Sequence, residues 1–158
     1  MKKAILVVLL LTGIFVFAGI GEAAMSVEEF CKLCEMGTPN EVEAAIRDGA
    51  DVNARYDDIT PLMRAATYNS NPEVTALLLE NGVDINAEDA DGLTALMLAA
   101  YNNSNPEVIA LLLKNGANPN VRDSDGKRAI DHAGRNEKLR GTAVFKQLQE
   151  ASKVKIKR

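Results

Sequence analysis

Aromatic residues are scarce in this chain, and tryptophan is absent. Only 4% of the 158 residues are aromatic, while 47% are hydrophobic, with alanine and leucine most prominent. This composition suits short, closely packed helices better than a β-sandwich. Because the apolar fraction is large enough for one core, the sequence predicts a single, all-α domain.

Cysteine and histidine are also rare, which limits the possible chemistry. Cys31 and Cys34 are too few for a disulfide framework. Their C-x-x-C motif is predicted to lie inside a helix, not at the helix N-terminus where the dipole lowers a thiol pKa. This favours packing, and a thiol-redox or redox-sensing role stays open as an alternative. Since His132 is the only histidine and no glycine-rich phosphate loop follows a strand, we expect no metal, no cofactor and no enzymatic activity.

The N-terminus has the features of an export signal. Lys2 and Lys3 precede an uncharged apolar run, residues 4–17, and the small-residue stretch AGIGEAA. The pattern predicts a signal peptide over residues 1–23, with cleavage after Ala23 and Ala18 as the alternative site, and therefore periplasmic or secreted localisation. Residues 4–20 are shorter than the roughly 20 residues of a bilayer span. An uncleaved segment that tethers an adaptor to the membrane is the alternative.

Charge is divided unevenly along the chain. Residues 25–93 contain 15 acidic and 4 basic residues, whereas residues 94–158 contain 6 acidic and 12 basic ones. The chain ends in a basic tail, residues 152–158, which we interpret as solvated. Binding of this tail to nucleic acid or another anionic surface is the less favoured interpretation.

The central sequence is repeated. Residues 60–93 and 94–127 are identical at 21 of 34 aligned positions. In each copy a threonine precedes one helical pattern, an Asn-Pro precedes a second, and an Asn-Gly ends it. The second helix is expected to bury Val74, Leu77 and Leu78, and in the next copy Val108, Leu111 and Leu112. Asp-Gly pairs at Gly92 and Gly126 predict tight hairpins. Aspartates are common in such turns, so the aspartates near the hairpins are interpreted as turn formers and not as calcium ligands.

These motifs together resemble the ankyrin repeat. The shared features are T-P-L, two alanines, an E-V-x-x-L-L-L run, N-G and a D-G tip. The resemblance implies an all-α ankyrin-repeat solenoid over residues 24–151, with four stacked helix-turn-helix units at about 26–59, 60–93, 94–127 and 128–151. The terminal units match the pattern less well, as expected where one side meets water. The first hairpin also departs from it, with Asp58-Ile59 in place of Asp-Gly.

The resemblance further implies a binding surface, called here the concave face, made of hairpin tips and the exposed side of each first helix. Alignment assigns ten candidate partner-binding residues to it: Tyr56, Asp57, Tyr68, Asp91, Leu93, Tyr101, Asn102, Asp125, Lys127 and Arg135. It assigns Thr67 and Asn136 to the same exposed face. Tyrosine and arginine are favoured interface anchors, so Tyr68 and Tyr101 are the first candidates, although a tyrosine ring can equally cover a neighbouring helix.

The expected function is therefore that of an exported, bacterial-type ankyrin-repeat adaptor. Its partner would be another protein, with no small-molecule substrate, and nucleic acid is not expected. We expect the chain to be a monomer.

Overall fold

A computed structural model describes residues 25–153, and the predicted signal peptide and the last five residues lie outside this range. The described chain forms eight helices: α1 (Val27–Met36), α2 (Pro39–Arg47), α3 (Pro61–Tyr68), α4 (Pro72–Glu80), α5 (Ala95–Asn102), α6 (Pro106–Lys114), α7 (Ala129–Ala133) and α8 (Ala143–Lys153). None of them is both long and apolar enough to cross a bilayer. The all-helical repeat architecture predicted from the sequence is confirmed.

Most helices begin where the sequence predicts. The Thr60 hydroxyl accepts a hydrogen bond from the Met63 backbone N–H at 3.2 Å, and Pro61 occupies the first turn. In α4 the Asn71 side chain accepts from the Glu73 N–H at 2.9 Å, ahead of Pro72. These caps satisfy backbone donors that would otherwise lack partners, and proline loses nothing at the first helical position.

The helices stack in two layers. An inner layer contains α1, α3, α5 and α7, and an outer layer contains α2, α4, α6 and α8. Alanines fill the inner layer, and Ala66, Ala100 and Ala133 are fully buried. Since alanine lets helices approach closely, the same apolar stripe is buried against the next unit at every step. The core is therefore one continuous cluster that runs through all four units.

The face that the outer helices bury differs from the prediction. Leu77 and Leu111 are only partly buried, whereas Thr75 and Ile109 are fully buried. The expectation that these two leucines belong to the buried side was wrong. Successive helical residues are turned by about 100°, so a small rotation of the helix exchanges neighbouring residues at the edge of its buried face.

Short hairpins connect the units. Gly92 has a φ of +75°, and a Cβ on it would lie 3.3 Å from the Asp123 Cα, so both its conformation and the neighbouring hairpin favour glycine. The first hairpin closes without glycine: Tyr56 and Ile59 exchange two backbone hydrogen bonds at 3.0 Å. Its central residues, Asp57 and Asp58, both have positive φ, which aspartate tolerates better than most residues.

Buried asparagines join each inner helix to the preceding one. The Asn69 amide donates to the Cys34 and Gly37 carbonyls, Asn103 donates to those of Ala66 and Asn69, and Asn136 to those of Ala100 and Asn103, at 2.7–3.3 Å. Each side-chain oxygen also accepts the backbone N–H two residues later. We call Asn69, Asn103 and Asn136 the asparagine ladder. The ladder attaches the C-terminal end of each inner helix to the preceding unit, and the exposed residues described below lie at these helix ends.

Candidate partner-binding face

In each unit one exposed residue lies at or just after the end of the inner helix, directly before a ladder asparagine or, in the first unit, before Gly37, whose carbonyl accepts from Asn69. These residues are Met36, Tyr68, Asn102 and Arg135, all exposed, and we call them the exposed row. Met36 precedes Gly37, and the other three precede Asn69, Asn103 and Asn136 in that order. Because stacked units repeat the same geometry, these side chains follow one another across the inner helices.

Met36 belongs to this row although it was not among the predicted residues. Met36 is 69% exposed, and it occupies the end of α1 as Tyr68 occupies the end of α3. The signal available in the sequence was the alignment of Phe30 with Leu62, which places Met36 opposite Tyr68. An exposed methionine is a common adaptable contact in binding surfaces.

Tyr68 and Tyr101 are exposed to the same degree, 54% and 55%. Both lie in the last turn of an inner helix, but they are not equivalent positions, since Tyr101 aligns with Thr67. Among the large apolar side chains of the described residues, they are the exposed ones in the two middle units. Tyr68, within the exposed row, and Tyr101, beside it, together form an amphipathic aromatic surface.

The hairpin tips present carboxylates. Asp57, Asp91 and Asp125 are exposed. The Asp125 carboxylate pairs with the Lys127 ammonium at 2.6 Å. Lys127 and Tyr56 are partly buried, as is Leu93, which packs against the core. The third tip is therefore locally neutralised, and the first two are acidic.

Two residues assigned to the exposed face are buried. Thr67 donates its hydroxyl hydrogen bond to the Met63 carbonyl at 2.6 Å, and Asn136 is part of the asparagine ladder. Their assignment was wrong, since both side chains find backbone acceptors inside the stack. Asn102, by contrast, is exposed while its amide reaches the Thr67 carbonyl at 3.4 Å.

The structure also brings together three residues that the sequence did not group. The His132 Nε2 lies 2.7 Å from an Asp123 carboxylate oxygen, and the Tyr101 and His132 rings form an edge-to-face pair with centroids 6.2 Å apart. Tyr101 comes from α5, Asp123 from the third hairpin and His132 from α7. The sequence contained only a weak signal for this cluster. The single histidine, His132, stands where the preceding unit has Leu98, and Asp123 is an aspartate that recurs in the turns of both units.

The Asp123 carboxylate is held firmly in this cluster. Burial acts to raise its pKa, but the Lys127 backbone N–H, the His132 ring and the Asp125 backbone N–H together lower the pKa below its usual value. Side-chain exposure is 12% for His132 and 6% for Asp123. The charged carboxylate is therefore the form that this site stabilises.

The N-terminal end of the face is electrically different. The carboxylates of Glu28 and Asp57 raise the pKa of Tyr56, which shows that this tyrosine lies in a negative field. Among the described residues, the first two units (25–93) contain 15 acidic and 4 basic residues, the third (94–127) contains three of each, and the last (128–153) contains 3 acidic and 6 basic ones.

The cysteines do not resemble a redox pair. Cys31 and Cys34 are both buried, and no disulfide joins them. Burial raises the pKa of the Cys31 thiol, and it raises that of Cys34 to about 12. Because the thiolate is the reactive form, such thiols are poor nucleophiles. The geometry therefore argues against the thiol-redox alternative.

Within residues 25–153, no group of three histidine, cysteine or acidic side chains is placed to hold a metal ion. The cluster around His132 offers one carboxylate and one imidazole, which is fewer than the ligands of a structural or catalytic zinc site.

Helix pairs that stack in two layers and are joined by hairpins define a helical repeat protein. A family model described as ankyrin repeats (3 copies) matches residues 30–123 and, in a second alignment, residues 68–152. The chain therefore belongs to the ankyrin-repeat family. A comparison with curated proteins gave no match. Ankyrin repeats are in general protein–protein interaction modules, and proteins built from them are typically scaffolds without catalytic activity.

Proposed function

We propose that this protein is an exported adaptor, periplasmic or secreted, that binds another protein through its concave face. The observation that carries the proposal is the exposed row together with Tyr101, because these side chains are exposed at helix ends whose backbone is fixed by buried hydrogen bonds. Rigid display of aromatic and polar side chains reduces the entropy lost on binding.

The contacts would differ along the face. Met36, Tyr68 and Tyr101 would supply apolar and aromatic area, while Arg135 and the acidic tips at Asp57 and Asp91 would select for charge. Since the acidic and basic parts lie at opposite ends, association with an oppositely patterned partner would be faster and tighter at low salt.

The first experiment tests export and partner binding together. The full-length chain with a C-terminal tag would be expressed, the cells fractionated, and the proteins that co-purify from the exported fraction compared at low and high salt. N-terminal sequencing of the purified chain would show whether cleavage follows Ala23 or Ala18. An intact N-terminus in the membrane fraction would instead support the tethered adaptor. The N-terminal segment that would form the tether lies outside the described residues.

The second experiment tests the face. A double variant, Tyr68→Ala with Tyr101→Ala, should weaken binding of a salt-released partner by at least about tenfold, as expected for aromatic anchors. Val27→Ala is the control, since Val27 is exposed in the first turn of α1, away from the exposed row. If the double variant and the control bind equally well, and binding is insensitive to salt, the concave-face proposal is wrong.

A further inference from the structure

Tyr101 and Tyr68 differ in what supports them, although their exposure is nearly equal. The Tyr101 ring stands edge-to-face against the His132 ring, with an interplanar angle of 89°. His132 is in turn held by the Asp123 carboxylate at 2.7 Å. Among residues 25–153, this is the one aromatic pair, so the Tyr68 ring has no aromatic partner of this kind.

The Asp123–His132 contact is not needed to close the hairpin. One Asp123 oxygen, Oδ1, accepts the backbone N–H groups of Asp125 and Lys127 at 3.0 and 2.8 Å. Asp89 closes the preceding hairpin in the same way, through the N–H groups of Asp91 and Leu93. The other Asp123 oxygen, Oδ2, is thereby left to bond His132.

The preceding unit shows what the stack requires at this position. There the residue equivalent to His132 is Leu98, which packs against the core and has no side-chain hydrogen-bonding atom. An apolar side chain therefore satisfies the packing of an inner helix here. Histidine adds two things that leucine lacks: a bond to the hairpin and an aromatic edge for Tyr101.

We propose that His132, oriented by Asp123, is a positioning residue that holds the Tyr101 ring ready for the partner, which makes Tyr101 the main aromatic anchor of the concave face. A ring held in its bound orientation before association loses less conformational entropy than a free one. The anchoring part of this inference rests on the proposed function, whereas the positioning part concerns the free protein alone.

Two variants separate the possible roles of His132. His132→Leu gives this unit the residue of the preceding one, so the fold should persist without the ring contact or the hydrogen bond. His132→Gln retains a side-chain N–H that can reach Asp123 but removes the aromatic edge. Thermal unfolding of both variants would establish that they are folded before other measurements are made.

The positioning part is tested without any partner. Isotope-labelled tyrosine rings would be followed by NMR relaxation in the chain purified from the exported fraction, which contains only three tyrosines. We expect the Tyr101 ring to be more restricted than that of Tyr68, and both His132 variants to mobilise Tyr101 while Tyr68 is unchanged. If Tyr101 is as mobile as Tyr68 in the natural chain, or is unaffected in both folded variants, His132 does not position it.

The anchoring part is tested with a defined probe. Peptides would be selected from a random library for binding to the natural chain and for loss of binding to the Tyr68→Ala, Tyr101→Ala double variant. Tyr101→Ala should weaken their binding at least about tenfold and more than Tyr68→Ala does, with His132→Leu and His132→Gln in between, at roughly threefold to tenfold. Equal or greater loss from Tyr68→Ala, or unchanged binding by both His132 variants, would overturn the anchor assignment.

A selection that yields no such peptide would count against the concave face as a binding surface, and so against the proposed function. The NMR result would still decide whether His132 positions Tyr101. The two failures are therefore distinguishable.

Discussion

Thr75 and Ile109 occupy equivalent positions in neighbouring outer helices, and both are fully buried. The Thr75 hydroxyl has no hydrogen-bond partner. A buried polar group without a partner destabilises the folded state, whereas an apolar group of the same shape does not. The second unit thus contains an unsatisfied buried hydroxyl, and the third unit, with Ile109 at this position, does not.

Thr75→Val is therefore expected to raise the free energy of unfolding by about 1 kcal/mol or more, measured by urea denaturation. Thr67→Val is the matched control, because the Thr67 hydroxyl donates to the Met63 carbonyl at 2.6 Å, and this change should not stabilise the protein. A loss of stability in Thr75→Val would show that the hydroxyl is satisfied in solution.

Asp123 should make stability sensitive to acid. A carboxyl whose folded-state pKa lies below its ordinary value of 3.8 stabilises the fold above that pH, and this contribution is lost as the pH falls through the lowered pKa. Asp123→Asn can still accept the turn hydrogen bonds but carries no charge. Its stability should therefore fall less than that of the natural chain between about pH 5 and about pH 3, a window that lies below the ordinary histidine titration.

Urea denaturation at the two pH values would measure this difference. Asp89→Asn is the control, since Asp89 makes the same turn bonds in the repeat where Leu98 stands at the position of His132. Parallel pH dependence of Asp123→Asn and the natural chain would contradict the assignment of a lowered pKa to this carboxyl.

At the scale of elements, the asparagine ladder connects consecutive inner helices. Asn103 is the middle step: its amide donates to Ala66 and Asn69, and its oxygen accepts from Asn105. The turn between the two helices of a unit is thus attached to the unit before it. This attachment is what keeps the exposed row in a fixed register.

Asn103→Ala should lower the free energy of unfolding by roughly 2–4 kcal/mol, since it leaves buried backbone groups without partners. Its neighbour Asn102 is the control: it is exposed, so Asn102→Ala should change stability by no more than about 0.5 kcal/mol. Urea denaturation of both variants would test this, and equal small effects would mean that water replaces the Asn103 amide.

The whole molecule depends on neighbouring units for its core. The last unit buries Ala129, Ala133, Leu139 and Leu148, while α7 and α8 cover α5 and α6. A repeat protein is stabilised chiefly by such interfaces between neighbours. The charge distribution is also a property of the whole stack, since the first unit has an excess of acidic residues and the last unit an excess of basic ones.

A chain that ends after Lys127 should accordingly lose several kcal/mol of stability, because burial of each leucine side chain is worth about 1.5–3 kcal/mol. Circular dichroism during urea denaturation would measure the loss. Removal of the residues after Lys153 is the control and should leave the unfolding midpoint nearly unchanged. Equal stability of the two truncated chains would show that the last unit is not part of the cooperative core.

The sequence by itself determined the repeat, the start of most helices and the stacking of helix-turn-helix units. Period, cap residues and proline positions act over a few residues, so Thr60-Pro61 or Asn71-Pro72 can be interpreted without a partner segment. The resemblance to the ankyrin repeat also implied the exposed positions of Tyr68, Tyr101 and Arg135.

Only the tertiary structure decided the contacts between units. The ladder bonds of Asn136, the burial of Thr75 instead of Leu77, and the Asp123–His132–Tyr101 cluster all depend on how far one unit is shifted and rotated against the next. A side chain that reaches a carbonyl some 33 residues away leaves no local signature, because its partner is a backbone atom that every residue possesses. The stacking geometry therefore selects which polar side chains are buried and which aromatic ring is supported.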